Sequence, residues 1–543
     1  MKRQCWLRAA LVSMMLLALV ASTACTQSKP EAKPEAKPAP APKSHLVIGL
    51  ASDLTQRGVD PAMSSGVPQQ VVAMNIFDNL LYLDTDGILK PGLITSWEVS
   101  KDGLIYTFKL KKGVVFHDGT PFNAEAVRFH FDRIMDPATA SPARAYMGPY
   151  DKSEVVDDST LKVYFKKPYA PFLTNLGRYF FGIPSPTAAK KLGKDIGFKP
   201  VGSGPFKFKE WVPGQSIVLV RNDDYKWAPD IYKNKGKSNI EQITFRFIPE
   251  DVPRMGALET GECNVVVYLS ADGLARFKAD PAKYATVTVP VTGIGALNYL
   301  NTQKFPTNDL AVRQAINYAA DQKTMIDTLF KGTRIPATGL LAPNILGYHK
   351  DIENYYPYDP AKAKQVLDQA GWKVGSDGIR VKNGQRLKID MVILDGAAYK
   401  MTGEWQQAEL KKVGIEVNLV PMASPARVEA GQKGTHNSSY VGNEAVDPDI
   451  LYLFHSSEIG NNNWSRLSDK EIDGWLEKAR AEASPDVRKD LYYKVQKRVM
   501  EQALVLPVWY TTHLYAFRTG VKGLRHDGCG YYLLLHDVTL ETK

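Results

Sequence analysis

Cysteine is scarce in this chain, with four residues in 543, so a scaffold built on disulfides is excluded. Cys5 and Cys25 lie at the start, leaving Cys263 and Cys529 in the body. In an oxidising compartment those two are free to pair or to stay as structural thiols. Long apolar runs are missing too. Leu11–Ala21 falls short of the roughly 20 residues a membrane-spanning helix needs, and no second such run follows it. Catalytic signatures are absent: there is no G-x-S-x-G, H-E-x-x-H, Walker A loop or G-x-G-x-x-G. The nine histidines are scattered, and no two His or Cys pairs at ligand spacing recur as a zinc site requires. His117 in "FHDGTPF" reads as a turn residue after a strand rather than a base. In "VGSGPFKF" (201–208) no Lys and no helix follow the glycines, so Gly202 and Gly204 mark a tight turn rather than a phosphate loop. A hydrolase would lack its nucleophile–base pair.

Charge of one sign is not concentrated either. Of the net +10, the first 24 residues carry three charges and residues 26–44 two, which leaves a mild +5. Acidic and basic residues alternate through the body, and no nucleic-acid surface is indicated.

The beginning of the chain carries an address. Lys2, Arg3 and Arg8 precede the apolar run, and "ASTAC" follows it, as in a secretory signal peptide over 1–24. Small residues before Cys25 suggest lipoprotein processing, with the thiol acylated. Ser22 stands where such a site usually has Leu, Val or Ile, and ordinary cleavage that leaves a free thiol is the alternative. Residues 26–44, "TQSKPEAKPEAKPAPAPKS", contain no aromatic and no aliphatic larger than Ala. Such a segment cannot bury enough apolar surface to fold, and its prolines favour extended polyproline II. A spacer directly after an acylated Cys is a tether to a membrane.

The remainder is ordinary globular composition, 44% hydrophobic and 23% charged, long enough for two or three domains. "HLVIGL" (45–50), "YTFKLKKGVVF" (106–116) and "LKVYFKKP" (161–168) read as strands, with Tyr106, Phe108 and Leu110 on one face. Asn123 caps a predicted helix that carries Ala124, Val127, Phe131 and Ile134 on one side. Asp359-Pro360 opens another, with Val366 and Leu367 inward and Gly371 past its end. Ser484-Pro485 opens a third, with Leu491, Val495 and Val499 aligned. The class is mixed α/β.

Seven segments, in order along the chain, carry a resemblance: "FHDGTPFNAEAVRFHFDRI" (116–134), "VGSGPFKFKEW" (201–211), "RNDDYKW" (221–227), "MGALETGECNVV" (255–266), "NDLAVRQAINYAADQKTMI" (308–326), "YPYDPAKAKQVLDQAGW" (356–372) and "LKKVGIEVNL" (410–419). Together they resemble the solute-binding proteins of peptide/nickel ABC importers, family 5, over essentially all of 45–525. Ala126, where the family has Asp, and Cys263-Asn264, where Ile-Asp is typical, are departures that look structural.

The resemblance implies a Venus flytrap of the type II periplasmic-binding-protein kind, cluster C-like, with two lobes and three domains. Domain I would take 45–80, 200–292 and 500–543, domain II 81–199, and domain III, the second ligand-binding lobe, 293–499. Closure would hinge on two crossover strands, for which "VPVTGIGALNYLN" (289–301) and "ALVLPVWYTTH" (503–513) are suitably apolar. It further implies an exported monomer without cofactor, metal or catalysis. That receptor would be anchored by lipid on Cys25, in the periplasm or on the outer face of the cytoplasmic membrane, and would hand a short peptide to an ABC permease. Other amines, oligosaccharides or a nickel chelate are alternative solutes; an extracellular peptide hydrolase or a chaperone is the alternative from another class.

Site residues follow by position. Peptide-binding members place an Asp three residues before a D/E-P pair as partner of the ligand's ammonium; here the pair is Asp447-Pro448 and the matching residue is Glu444. The bland alternative is a solvated loop acid. Lys400 lies at or beside the position where a dipeptide-binding relative has an Arg for the ligand carboxylate. Asn463 and Trp464, after Asn461 and Asn462, fall near the family's cleft, and Ser64, Ser65 and Gly66 would line it from domain I.

Overall fold

The computed structural model describes residues 44–54, 57–64, 66–85, 87–530 and 532–541, all within the unit Pro42–Lys543. The signal, Cys25, the spacer up to Lys43, and Ser65 lie outside the described residues.

The first lobe is built on a seven-stranded mixed sheet in the order Tyr284–Pro290, Thr512–Arg518, Val265–Val267, His45–Leu50, Gln242–Phe247, Ser216–Arg221, Phe206–Val212. His45–Leu50 runs parallel to both neighbours, and Leu46, Ile48 and Leu50 are fully buried, as a central strand requires. Beside it stands a four-stranded antiparallel sheet: Ile94–Val99, Ile105–Leu110, Thr160–Phe165, Tyr150–Asp157. Tyr106, Phe108 and Leu110 point into its core, as their period of two predicts. The helix Ala124–Met135 covers that core with Val127, Phe131 and Ile134, and the Asn123 side chain accepts from the Ala126 N–H at its start.

One buried carboxylate ties two of the sequence motifs together, and a third joins beside it. Asp78 accepts hydrogen bonds from Ser203 Oγ at 3.0 Å, Tyr225 Oη at 2.9 Å and Trp227 Nε1 at 2.9 Å. A Cβ at Gly202 would sit 2.1 Å from the Ile76 carbonyl oxygen, so only glycine lets this turn pass. His117 closes the same knot: the Gly202 N–H donates to its Nδ1, and its Nε2 meets the Gly204 carbonyl. Burial lowers its pKa to about 4, which keeps the ring neutral.

The second lobe carries a six-stranded sheet in the order Ile335–Pro336, Val505–Tyr510, Gly293–Leu300, Ser438–Glu444, Lys388–Leu394, Glu416–Met422. Around it pack Pro360–Gln369, capped by the Asp359 side chain and followed by Gly371 at φ 83°, and Pro485–Glu501, which buries Leu491, Val495 and Val499. In the first of these Leu367 is buried and Val366 half-buried.

The chain passes between the lobes twice near the middle, at Val291–Thr292 and at Thr511. The sequence expectation that residues from 500 onward return to the first lobe needs correcting. Val505–Tyr510 pairs with Gly293–Leu300 in the second lobe's sheet, and the first-lobe sheet resumes only at Thr512. Its fully buried pattern suits a strand covered on both faces and does not say which sheet it joins. Cys263 and Cys529 are both buried and free.

Candidate functional site

The strand Ser438–Glu444 lies in the interior of the second lobe's sheet, and its alternate residues Tyr440, Gly442 and Glu444 share one face. That face forms a wall of a cavity of ≈ 550 Å³ between the lobes. From the first lobe come Tyr146, Arg178, Phe180 and Thr512; from the second come Arg334, Arg427, Tyr399 and Trp509. Gly442 leaves the middle of the wall open. The aromatic rings there are in mutual contact, Tyr440 with Tyr399 at 4.9 Å and with Trp509 at 5.5 Å between centroids.

Glu444 remains open to water within this space, while protein crowds it from the cavity walls. Burial raises its pKa to about 7, and the positive charge of Arg178 opposes the shift. No cation lies within ion-pairing distance of it among the described residues. The arginines are held by aromatic faces: Arg178 over Tyr146 at 4.3 Å, Arg334 over Trp509 at 4.3 Å and Phe330 at 4.5 Å, Arg427 over Trp464 at 5.0 Å.

A smaller chamber of ≈ 290 Å³ adjoins and shares Tyr146, Arg178 and Glu444 with the main one. Its wall holds Asp449, bonded by Arg480 through Nε at 2.8 Å and Nη2 at 3.0 Å. Burial raises the Asp449 pKa to about 6 despite that partner. Arg480 stacks on Tyr452 at 3.2 Å, and its carbonyl accepts from the Ala170 N–H at 2.8 Å, a bond that joins the two lobes directly.

Of the residues singled out from sequence, Glu444 lines both cavities. Asp447 borders the smaller one, but Arg488 binds it through two nitrogens at 2.6 and 3.1 Å, and its carboxylate also accepts from the Asp449 N–H. Trp464 and Asn463 belong to the interior of the second lobe. Trp464 packs against Gly431, where a Cβ would come within 2.3 Å of its ring, and its Nε1 donates to the Asn461 carbonyl. Asn463 donates to the carbonyls of Phe454, His455 and Leu467. Lys400 is on the solvent side of the helix Ala397–Lys412, 68% exposed and 3.9 Å from Glu404. Ser64 is buried, with its hydroxyl on the Asp60 carbonyl. Gly66 stands at the start of the helix Val67–Ala73.

The cations that reach the cavity are therefore Arg178, Arg334 and Arg427. All three escaped the sequence reading. They lie on separate segments, two of them more than 150 residues apart, with no spacing that links them. Arg178 alone gave a hint, as a charge set among aromatics in "GRYFF".

Comparison with known proteins decides the family. Residues 89–463 match the model described as bacterial extracellular solute-binding proteins, family 5 Middle. The chain belongs to this family. Among family-5 relatives, heme-binding protein A of Haemophilus influenzae is 30% identical over 511 residues, covering 87% of this chain and 89% of its own. The dipeptide-binding protein of Escherichia coli is 30% identical over 515 residues, covering 88% and 92%. A crystal structure of NikA from Brucella suis in complex with Fe(III)-EDTA superposes with a TM-score of 0.80 at 29% identity, over 92% of this chain and all of that one. These neighbours carry the same two-lobe mixed α/β fold, and their names state different solutes. Family-5 proteins are solute receptors, and in this one a cavity between the lobes is walled by residues of both.

Proposed function

We propose that this protein is the extracytoplasmic receptor of an ABC importer, that it captures a short peptide between its lobes, and that it delivers the peptide to a membrane permease. One observation carries the reading: Glu444, a carboxylate without a cationic partner among the described residues, faces water inside an inter-lobe cavity of ≈ 550 Å³. A free α-ammonium placed there forms a charge-assisted hydrogen bond, and the cavity arginines receive the carboxylate at the other end. The aromatic faces of Tyr399, Tyr440 and Trp509 give side chains apolar surface with little sequence preference. The name of the Escherichia coli relative supports a peptide solute. In the same reading Cys25 is acylated and the spacer holds the folded part off the membrane; release of a Cys25→Ala variant without detergent tests that.

Calorimetric titration with a peptide in free and N-acetylated forms tests the ligand. The free amine is expected to bind more than tenfold tighter, since truncating one side of a desolvated pair typically costs ~2–5 kcal/mol. Equal affinity would remove the ammonium role of Glu444 and with it the case for peptides.

A further inference from the structure

Several buried arginines of the second lobe and the lobe interface have carboxylates: Arg488 has Asp447, Arg480 has Asp449 and Arg380 has Asp368, while Arg313 gives its N–H groups to the carbonyls of Gln502, Thr307 and Asn308 instead. Among the described residues the three at the main cavity, Arg178, Arg334 and Arg427, form no ion pair. Arg178 and Arg427 are each only 8% exposed, and the Nε of each is buried without a hydrogen-bond partner. Arg427 gives one Nη to the Tyr440 carbonyl at 2.8 Å. Arg334 rests on the Trp509 and Phe330 faces, which fixes the guanidinium plane and spares its N–H edge. A buried charge with no counter-charge is costly, and truly unpaired ones are rarely kept without use.

The number matters more than the sign. A single guanidinium binds one carboxylate through two parallel hydrogen bonds, so one arginine satisfies a simple dipeptide. Here three guanidiniums on three separate segments, from both lobes, border one space in which Glu444 is the single carboxylate among the described residues. Closing the lobes on a solute with one acid group leaves like charges facing each other. A solute with two or three acid groups neutralises them and joins the lobes.

We propose that the cavity selects solutes bearing at least two acid groups together with an amine, acidic short peptides and amino-polycarboxylates being the class, over solutes with one acid group or none. The proposal rests on the reading of this cavity as the solute site. It adds a charge requirement that the carboxylate–ammonium pair alone does not impose.

The test uses two tripeptides of equal length and shape, Glu-Ala-Glu and Gln-Ala-Gln, titrated calorimetrically into the full-length protein. The acidic peptide is expected to bind at least tenfold tighter. That preference should shrink several-fold in Arg334→Gln, and Arg334→Lys should recover part of it. Arg334 is the half-exposed member of the three, so folding of these variants is the smaller risk, and a melting curve checks it. Equal affinity, or a preference for Gln-Ala-Gln, overturns the charge requirement and leaves the cavity as the solute site. Undiminished binding of either peptide to Gly442→Leu overturns the cavity assignment instead. If neither peptide binds, melting temperatures are recorded with 2-aminobutyrate, glutamate and γ-carboxyglutamate, which carry one, two and three acid groups beside the same amine. Stabilisation that rises from the monoacid to the triacid supports the proposal, and no response to any of them overturns it.

Discussion

The Val291 N–H donates to the Thr511 carbonyl at 2.9 Å. Those two residues lie on the two segments that pass between the lobes, so the crossovers are held side by side by a backbone bond. Around them the Thr292 N–H bonds the Cys529 carbonyl and the Ala445 N–H bonds the Thr292 carbonyl, which couples the strand end bearing Glu444 to the crossover. Two adjacent connections permit one lobe to rotate on the other about a short axis. A solute bound by both lobes should therefore make the particle more compact. Small-angle scattering at saturation is expected to give a smaller radius of gyration, and a ligand at a hundredfold excess over its Kd should stabilise the fold by ~2.7 kcal/mol. A radius unchanged at saturation would remove the hinge.

Gly442 offers the cleanest way to block the site. A Cβ built there has Ala296 as its nearest neighbour at 3.6 Å, an ordinary contact, and no left-handed φ is needed. A larger side chain on that face extends into the space between Tyr440 and Glu444. Gly442→Leu is expected to fold with a melting temperature within a few degrees of the parent and to lose solute binding by at least a hundredfold, checked by calorimetry and a melting curve. Retained affinity would mean that the solute sits elsewhere.

Legibility from sequence followed the range over which each signal acts. Local patterns were readable: Tyr106, Phe108 and Leu110 by alternation, Asn123 and Asp359 as caps, Gly371 as a stop. Each is decided by neighbours a few residues away. The family motifs gave the two-lobe fold, and the Asp78 knot shows why those segments travel together: Ser203, Tyr225 and Trp227 converge on one carboxylate. The site was harder. Glu444 was reachable through its place before Asp447-Pro448, whereas Asp447 itself is consumed by Arg488, an ion pair across 41 residues that no spacing rule announces. Lys400 looked like a cation for the ligand because of its position along the chain, yet the helix turns it to solvent. Strand Val505–Tyr510 was placed in the wrong lobe for the same reason, since an all-apolar run carries no information about its pairing partner.

The Asp447–Arg488 pair makes a prediction about stability. Both side chains are almost fully buried, at 4% and 5% exposure, and Tyr492 Oη lies 3.3 Å from the guanidinium. Removing one member leaves the other as an uncompensated buried charge, which costs about 3–5 kcal/mol. Arg488→Met is expected to lose that much in denaturant unfolding. The double variant Asp447→Leu with Arg488→Met should recover most of it, because both charges are then gone. A double variant as unstable as the sum of the singles would show that the two side chains act through separate contacts.

Glu444 ties binding to pH. In the free protein its pKa is raised to about 7, so below that pH the carboxyl is increasingly protonated. An ammonium ligand interacts favourably only with the charged form and drives the proton off on binding. The ligand's own carboxylates and the arginines keep their charge across this range. Affinity for a free-amine peptide should thus be nearly flat above about pH 7.5 and fall towards a limiting slope of about tenfold per pH unit below 7. Proton release on binding, measured by calorimetry in buffers of different ionisation enthalpy, should rise over the same window. Glu444→Gln should be weak and independent of pH, and an acetylated peptide should lose the dependence in the parent protein. The unliganded fold carries the opposite signature. Its Glu444 holds a proton between about pH 4.5 and 7 that the unfolded chain releases, so the stability this group confers is full below 4.5 and is lost as pH rises through 7. Affinity that grows on acidification would show that the protonated carboxyl is the binding form, donating to an acid group of the solute rather than accepting from an amine.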